Sequence, residues 1–187
     1  MRIISGTLKK HRFTPPKGFT SRPTTDFAKE GLFNVLENQL FLEDLIILDL
    51  YAGTGSISFE LASRQAGQIT SVDKNFKCIR FIKEFTVKHD IAHHITPVKA
   101  DVKKFITRSS QSYDLIFADP PFSEDMPRLP ADRDTLLIDT VMSNQLLYEN
   151  GVFILEHSKH LNFLEHPNFV NSRKYGHIVF SFFEHIK

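Results

Sequence analysis

Leu48-Asp49-Leu50-Tyr51-Ala52-Gly53-Thr54-Gly55-Ser56 is the stretch on which the reading of this chain turns. It closes a short apolar run that begins at Leu45, of a length suited to a buried strand, and it leads into a segment with helical spacing. Glycines between a strand and a helix let the backbone approach a ligand closely, and the helix N-terminus presents unpaired N–H groups to it. Asp49, Tyr51, Ala52, Gly53, Thr54, Gly55 and Ser56 are therefore candidates for cofactor binding. A dinucleotide fingerprint would set a third small residue where Ser58 stands, which weakens a NAD reading; a tight turn with no ligand is the other reading of the loop taken alone.

Working outward, further apolar runs lie at Ile69 to Val72, Ile95 to Val98, Leu115 to Ala118 and Val152 to Leu155. With Leu45 to Leu50 they predict five buried strands. Between them come stretches with apolar residues at helical spacing, such as Phe76, Ile79, Ile82 and Phe85, or Leu137, Ile138, Val141, Met142 and Leu146. Alternating strand and helix predicts a Rossmann-like α/β fold, its parallel sheet covered by helices on both faces. Phe169 to Tyr175, Gly176, and His177 to Phe183 leave no room for a helix, so they predict an antiparallel hairpin that brings the mostly parallel sheet to seven strands. Ahead of the first strand, Phe27, Leu32, Val35, Leu36 and Leu40 predict one more helix.

Strand ends carry the chemistry. Asp73, followed by Lys74, ends the second strand, where a carboxylate can accept hydrogen bonds from both ribose hydroxyls of a nucleoside cofactor. Asp101 and Val102 follow the third strand and are placed to meet an adenine amino group, although Asp101 also reads as a plain helix N-cap. The ligand is expected to be adenosine-like. The fourth strand runs directly into Asp119-Pro120-Pro121-Phe122. Each proline holds its predecessor extended, which stiffens the loop. An exocyclic amine of a nucleobase is a poor nucleophile because its lone pair is delocalised into the ring. The Asp119 carboxylate and the Pro120 carbonyl are two acceptors that can draw such an amine toward tetrahedral geometry, and Phe122 offers a face for base stacking. A rigid turn with a surface Asp and a core Phe is the bland alternative.

Methylation of a pyrimidine carbon would need a thiolate, and the one cysteine, Cys78, lies in a helical segment away from any strand end. The nine histidines show no zinc-type spacing, and His93 and His94 would point apart on any regular element, so no metal is expected. The 187 residues, 41% hydrophobic and 24% charged, describe a compact soluble chain with no apolar run long enough to span a membrane. The start lacks the apolar core of a signal peptide, so a reducing cytoplasm is the expected compartment.

A net charge of +1 hides an asymmetry: residues 1–25 carry +6 and the other 162 carry −5. Residues 1–22 predict a basic arm folded as a small β-hairpin around a Ser5-Gly6 turn, with residues 23–187 as the catalytic domain. Arg2, Lys9, Lys10, Arg12 and Arg22 are candidates to meet a polyanion such as RNA; a solvated terminus is the alternative.

These residues together resemble a known family, the bacterial methyltransferases that modify the N2 amine of a guanine in small-subunit (16S) ribosomal RNA with S-adenosylmethionine. The resemblance runs from Arg2-Ile3-Ile4-Ser5-Gly6 through Arg22-Pro23-Thr24-Thr25-Asp26, the Leu48-to-Ser56 loop, Ser63-Arg64-Gln65-Ala66 and Asp119-Pro120-Pro121-Phe122 to Arg173-Lys174-Tyr175-Gly176. It implies a class I methyltransferase fold, S-adenosylmethionine as cofactor, 16S RNA or a small-subunit assembly intermediate as partner, and a monomer. Gln65 stands where the family usually has Gly, Asp73 where it commonly has Glu and Phe122 where it often has Tyr, while residues 123–133 match nothing in it. The alternatives are an amino-methyltransferase acting on adenine N6 of DNA or on a protein amide, and an inactive RNA-binding assembly protein.

Overall fold

A computed structural model describes residues 1–15, 24–121 and 131–186. In chain order its elements are α1 (Asp26–Gln39), β1 (Ile46–Leu50), α2 (Ser56–Ser63), β2 (Gln68–Asp73), α3 (Phe76–Lys88), β3 (Ile95–Lys99), α4 (Val102–Arg108), β4 (Tyr113–Ala118), α5 (Ala131–Ser143), β5 (Leu147–Ser158), β6 (Phe169–Tyr175) and β7 (Ile178–Phe183). The strands form one sheet in the order β3-β2-β1-β4-β5-β7-β6. The first five are parallel, and β7 is antiparallel to both β5 and β6. This is the expected Rossmann-like α/β sheet with its C-terminal hairpin, β7 inserting between β5 and β6.

Each face of the sheet has its own core. On one, Ile47, Ile69, Leu115 and Ile154 pack under Leu32, Phe33 and Leu36 of α1 and Phe59, Ile82 and Phe85 of α2 and α3. On the other, Leu48, Ile116, Phe153 and Phe183 meet Val102 and Ile106 of α4 and Leu137, Ile138 and Val141 of α5. Alternate residues of one strand thus serve opposite layers, which is why the strands read as continuous apolar runs. Strand order reverses between β1 and β4, and the crevice outside the carboxyl ends at such a reversal is where α/β sheets bind ligands.

Several expectations need correction. β3 is only partly buried: it is an edge strand, and Pro97, which has no N–H to donate, is tolerated because no strand lies beyond it. Phe27 lies outside the buried stripe of α1 and is 69% exposed. His93 and His94 sit in a turn, so their rings meet at 4.2 Å rather than pointing apart.

The arm does not form two strands. One bridge joins Arg2 to Arg12. The arm still pairs across as a short antiparallel turn, Ile3 N–H donating to the His11 carbonyl and Lys10 N–H to the Ile3 carbonyl at 2.9 Å each. Its tip is fastened to α2: the N–H groups of Ile4 and Ser5 donate to the two oxygens of Glu60, and those of Thr7 and Leu8 to the carbonyl and hydroxyl of Ser63. Ile3 and Phe13 are buried in the same core as α1, α2 and α3. Glu60 also accepts from Arg64 at 3.0 Å and pairs with Lys29 at 3.3 Å, both partners being buried. Lys29 in turn donates to the Arg2 carbonyl at 2.6 Å and reaches the Ser56 hydroxyl at 3.4 Å.

Gln65 has φ 61°, a left-handed backbone that disfavours a side chain.

Candidate active site

The β1–α2 loop turns through three residues with positive φ: Tyr51, Gly53 and Gly55. Gly55 serves the fold as much as any ligand. A Cβ there would lie 2.9 Å from Ile82 and 3.0 Å from the Phe59 ring, so the glycine lets α2 and α3 close beneath the loop. Gly55 is also the N-cap of α2 and provides no side-chain cap, while the Ser58 N–H in the first turn of that helix turns to the Asp49 carboxylate beneath it.

Asp73 fastens this loop. One carboxylate oxygen accepts from the Gly53 N–H at 2.9 Å and the other from the Asn75 N–H at 2.7 Å. A carboxylate has about four lone-pair sites, so two remain for ribose hydroxyls. Lys74 is exposed beside it. Asp101 caps α4 by accepting from Lys104 N–H at 3.1 Å, so the N-cap reading describes one of its oxygens; Val102 is buried behind it.

Asp49 lies beneath the loop, 1% exposed, accepting from the Ser58 hydroxyl. Ser58 also meets the Ser71 hydroxyl at 2.7 Å. The third glycine of a dinucleotide fingerprint could do neither. Burial pushes the Asp49 carboxyl up to about 7 against the pull of Ser58, with Asp73 adding to the rise. Thr54 and Ser56 are buried, the former reaching Met1 Sδ at 3.6 Å and the latter Lys29, so the arm abuts the loop. Tyr51 and Ala52 are half-buried.

Asp119 follows β4 directly, and its N–H donates to the Leu50 carbonyl at 3.3 Å, which joins the ends of β4 and β1. Pro120 is buried and Pro121 exposed, while Phe122, like Arg22, lies outside the described residues. Burial raises the Asp119 carboxyl well above the ordinary range, and the carboxylates of Glu156 and Asp49 add to the rise.

Glu156 is the residue that the sequence reading missed. In β5 it stands one position past Leu155, the partner of Ala118, and is therefore level with Asp119. It is buried, accepts from the Thr24 hydroxyl at 2.8 Å, and burial raises its carboxyl too. The rule that found Asp73 and Asp119, a carboxylate at the carboxyl end of a buried strand, would have found it. Cys78 lies in the first turn of α3, nearer a strand end than expected; burial first, and Asp73 second, push its thiol to about 11, which removes it as a thiolate.

Of the basic candidates, Arg2 pairs with Asp26 at 2.7 Å, and Lys9, Lys10 and Arg12 are exposed. Lys9 and Lys10 flank the contact with Ser63, at the end of α2 opposite the loop, roughly 10 Å away at 1.5 Å per residue.

The loop, Asp73 and Asp119 thus meet at the reversal of strand order, and the whole chain can be set beside known proteins. The family described as Conserved hypothetical protein 95 matches residues 1–184. Ribosomal RNA small subunit methyltransferase D of Buchnera aphidicola is 31% identical over 89% of this chain and 81% of its own length. The chain belongs to this family. The Escherichia coli K12 protein of the same name is 27% identical over 81% of this chain and 77% of its own. Among solved structures, the Escherichia coli protein yhhF superposes with a TM-score of 0.81 at 20% identity, covering 100% of this chain and 99% of that one. A Thermus thermophilus 16S rRNA N2 G1207 methyltransferase, in complex with AdoMet and guanosine, gives 0.69 at 21% identity over 86% of this chain and 43% of that one. The fold is that of class I methyltransferases, and the family's cofactor is S-adenosylmethionine. The glycine loop at the start of α2, the spare lone pairs of Asp73 and the negative charge that Asp49, Asp119 and Glu156 can carry at the strand ends would suit that cationic group. Among the described residues no helix is long and apolar enough to cross a membrane.

Proposed function

We propose that this chain methylates the N2 amine of a guanine in small-subunit ribosomal RNA. The observation that carries the reading is Asp119, held at the sheet's reversal by the Leu50 carbonyl and level with Glu156, next to the loop fastened by Asp73. The names of the relatives, which act on small-subunit ribosomal RNA, support the substrate class; the amine specificity rests on the Asp-Pro-Pro-Phe sequence.

S-adenosylmethionine, when bound, supplies an electrophilic methyl and a positive charge. Asp73 would accept from the ribose hydroxyls, Asp101 and Val102 would border the adenine, and the loop N–H groups with the start of α2 would hold the amino-acid end. A nearby cation favours the ionised forms of Asp49, Asp119 and Glu156, opposing the burial that holds them protonated. Ionised Asp119 and the Pro120 carbonyl accept the two hydrogens of the guanine amine and aim its nitrogen at the methyl. Methyl transfer to that nitrogen would leave the uncharged thioether S-adenosylhomocysteine, need no covalent enzyme intermediate, and release the nitrogen's proton late to water. Removing the guanine from its stack costs a few kcal/mol, offset in part by about 1–3 kcal/mol of stacking on Phe122.

Asp119→Ala is expected to lower turnover about 100-fold or more with S-adenosylmethionine affinity within a few-fold of wild type, since only the reacting geometry is lost. Nucleoside mass spectrometry of RNA treated with the wild-type protein reads the product. Unchanged turnover in the variant, or methyl groups on adenine N6 alone, refutes the assignment.

A further inference from the structure

The β6–β7 hairpin carries a second cationic surface, and unlike the tip of the arm it stands on the catalytic edge of the sheet. Glu156 pairs in register with Phe180 of β7, and Phe180 with Arg173 of β6. Arg173 is therefore level with Glu156 and Asp119, three strand spacings or roughly 14 Å from Asp119. Tyr175 continues beyond that level on the same face as Arg173, Lys174 between them points to the opposite face, and Lys159 follows β5 with its N–H bonded to the His177 carbonyl at 3.1 Å. Arg173, Lys174 and Lys159 are exposed and form no ion pair among the described residues. No acidic residue occurs from His166 to Phe183.

Aromatic surface accompanies this charge. The Tyr175 ring lies directly over Gly31 of α1, so close that a Cβ on Gly31 would be 2.1 Å from it. Its neighbour on the helix is Phe27, edge-on at 5.6 Å and 69% exposed. Together they wall a groove of about 340 Å³ that is also lined by Glu30, Val35 and the exposed Asn34 and Asn38. Phe27 follows Thr24 by three residues, and Thr24 is tied to Glu156, so the head of the groove opens beside the catalytic edge. Unpaired cations next to an exposed ring and amide groups match single-stranded RNA, whose phosphates need the former and whose unstacked bases need the latter. A flipped target would leave such a strand running away from Asp119.

We propose that Arg173, with Phe27 and Tyr175 of the groove between α1 and β6, holds the single-stranded RNA segment flanking the target nucleotide. This rests on the RNA substrate proposed above and adds the surface that reads it.

The test is a fluorescence titration of the full-length chain with a short labelled single-stranded RNA over a range of salt concentrations. Each phosphate contact contributes about 0.7 to the logarithmic salt slope on single strands, so Arg173→Ala should lower the slope by about 0.7. Phe27→Leu should weaken binding about tenfold and leave the slope unchanged. Lys83→Ala with Lys88→Ala, exposed cations of α3, is the control and should leave both quantities alone. S-adenosylmethionine affinity should be the same in every variant, which establishes that each is folded. A slope unchanged in the Arg173 variant, or lowered equally in the control, overturns the proposal. So does a defect seen only on assembled ribosomal particles with naked RNA bound normally, which would assign the patch to a protein partner. The substrate reading fails separately: wild-type protein that binds RNA through this patch yet methylates no guanine would refute that reading and support this one.

Discussion

Replacing Asp49 by asparagine tests the electrostatics of the site most directly, because it removes an ionisable group and leaves an oxygen to accept from Ser58. The carboxyl is raised from its ordinary 3.8 to about 7, mainly by burial. The folded protein therefore binds more protons than the unfolded chain between those two values, so the sign is fixed: stability conferred by this group falls as pH rises from near 4 and is fully lost above about 7. At about 1.36 kcal/mol per pH unit, the whole loss is about 4 kcal/mol, of which roughly 2.5 falls between pH 5 and pH 8.5. The Asp49→Asn protein has no such loss. Urea denaturation of both proteins at pH 5 and pH 8.5 should show the variant gaining roughly 2.5 kcal/mol on wild type between the two conditions, with equal m-values. A difference that does not change with pH would mean that Asp49 is ionised throughout, and the account of a buried, protonated carboxyl beneath the loop would be refuted.

Three other outcomes follow from the same geometry. A cation at the site opposes the burial of Asp49, Asp119 and Glu156, so the affinity for S-adenosylmethionine relative to its uncharged product S-adenosylhomocysteine should rise as pH increases through about 7; calorimetry that finds a constant ratio counts against the carboxyls facing the sulfonium. Lys29→Met should cost about 3–5 kcal/mol in denaturant unfolding, because it breaks a buried pair with Glu60 and leaves the Arg2 carbonyl without its donor; a loss under about 1 kcal/mol would show that Arg64 alone satisfies Glu60. Deleting residues 1–13 removes Ile3 and Phe13 from the core along with the donors to Glu60, so thermal unfolding should show a chain destabilised by at least about 4 kcal/mol, whereas an unchanged midpoint would make the arm an independent appendage.

The last outcome shows where reading the chain ended. The basic charge of residues 1–25 was plain, but their role in the core was not. Ile3 and Phe13 are isolated apolar residues in a polar stretch, and only the docking of Ser5 to Leu8 on α2 explains them. The same holds for Glu156, whose partner Thr24 is 132 residues away. Gly55 was read as room for a ligand, and in the structure it equally makes room for Ile82 and Phe59.

What could be read from the amino acids in order was whatever repeats locally. Apolar runs at strand length, helical spacing between them, and carboxylates at strand ends are consequences of backbone geometry within a few residues, and they sufficed for the seven-stranded fold, the loop, Asp73 and Asp119. What required the folded chain was every relation across the sheet. The ends of β1, β4 and β5 are neighbours because strand order reverses there, and that places Asp49 and Glu156 close enough to raise the affinity of Asp119 for protons. The order of strands also sets Arg173 on the catalytic edge and the arm's lysines away from it. Such placements depend on which surfaces exclude water together, and no spacing along the chain encodes that by itself.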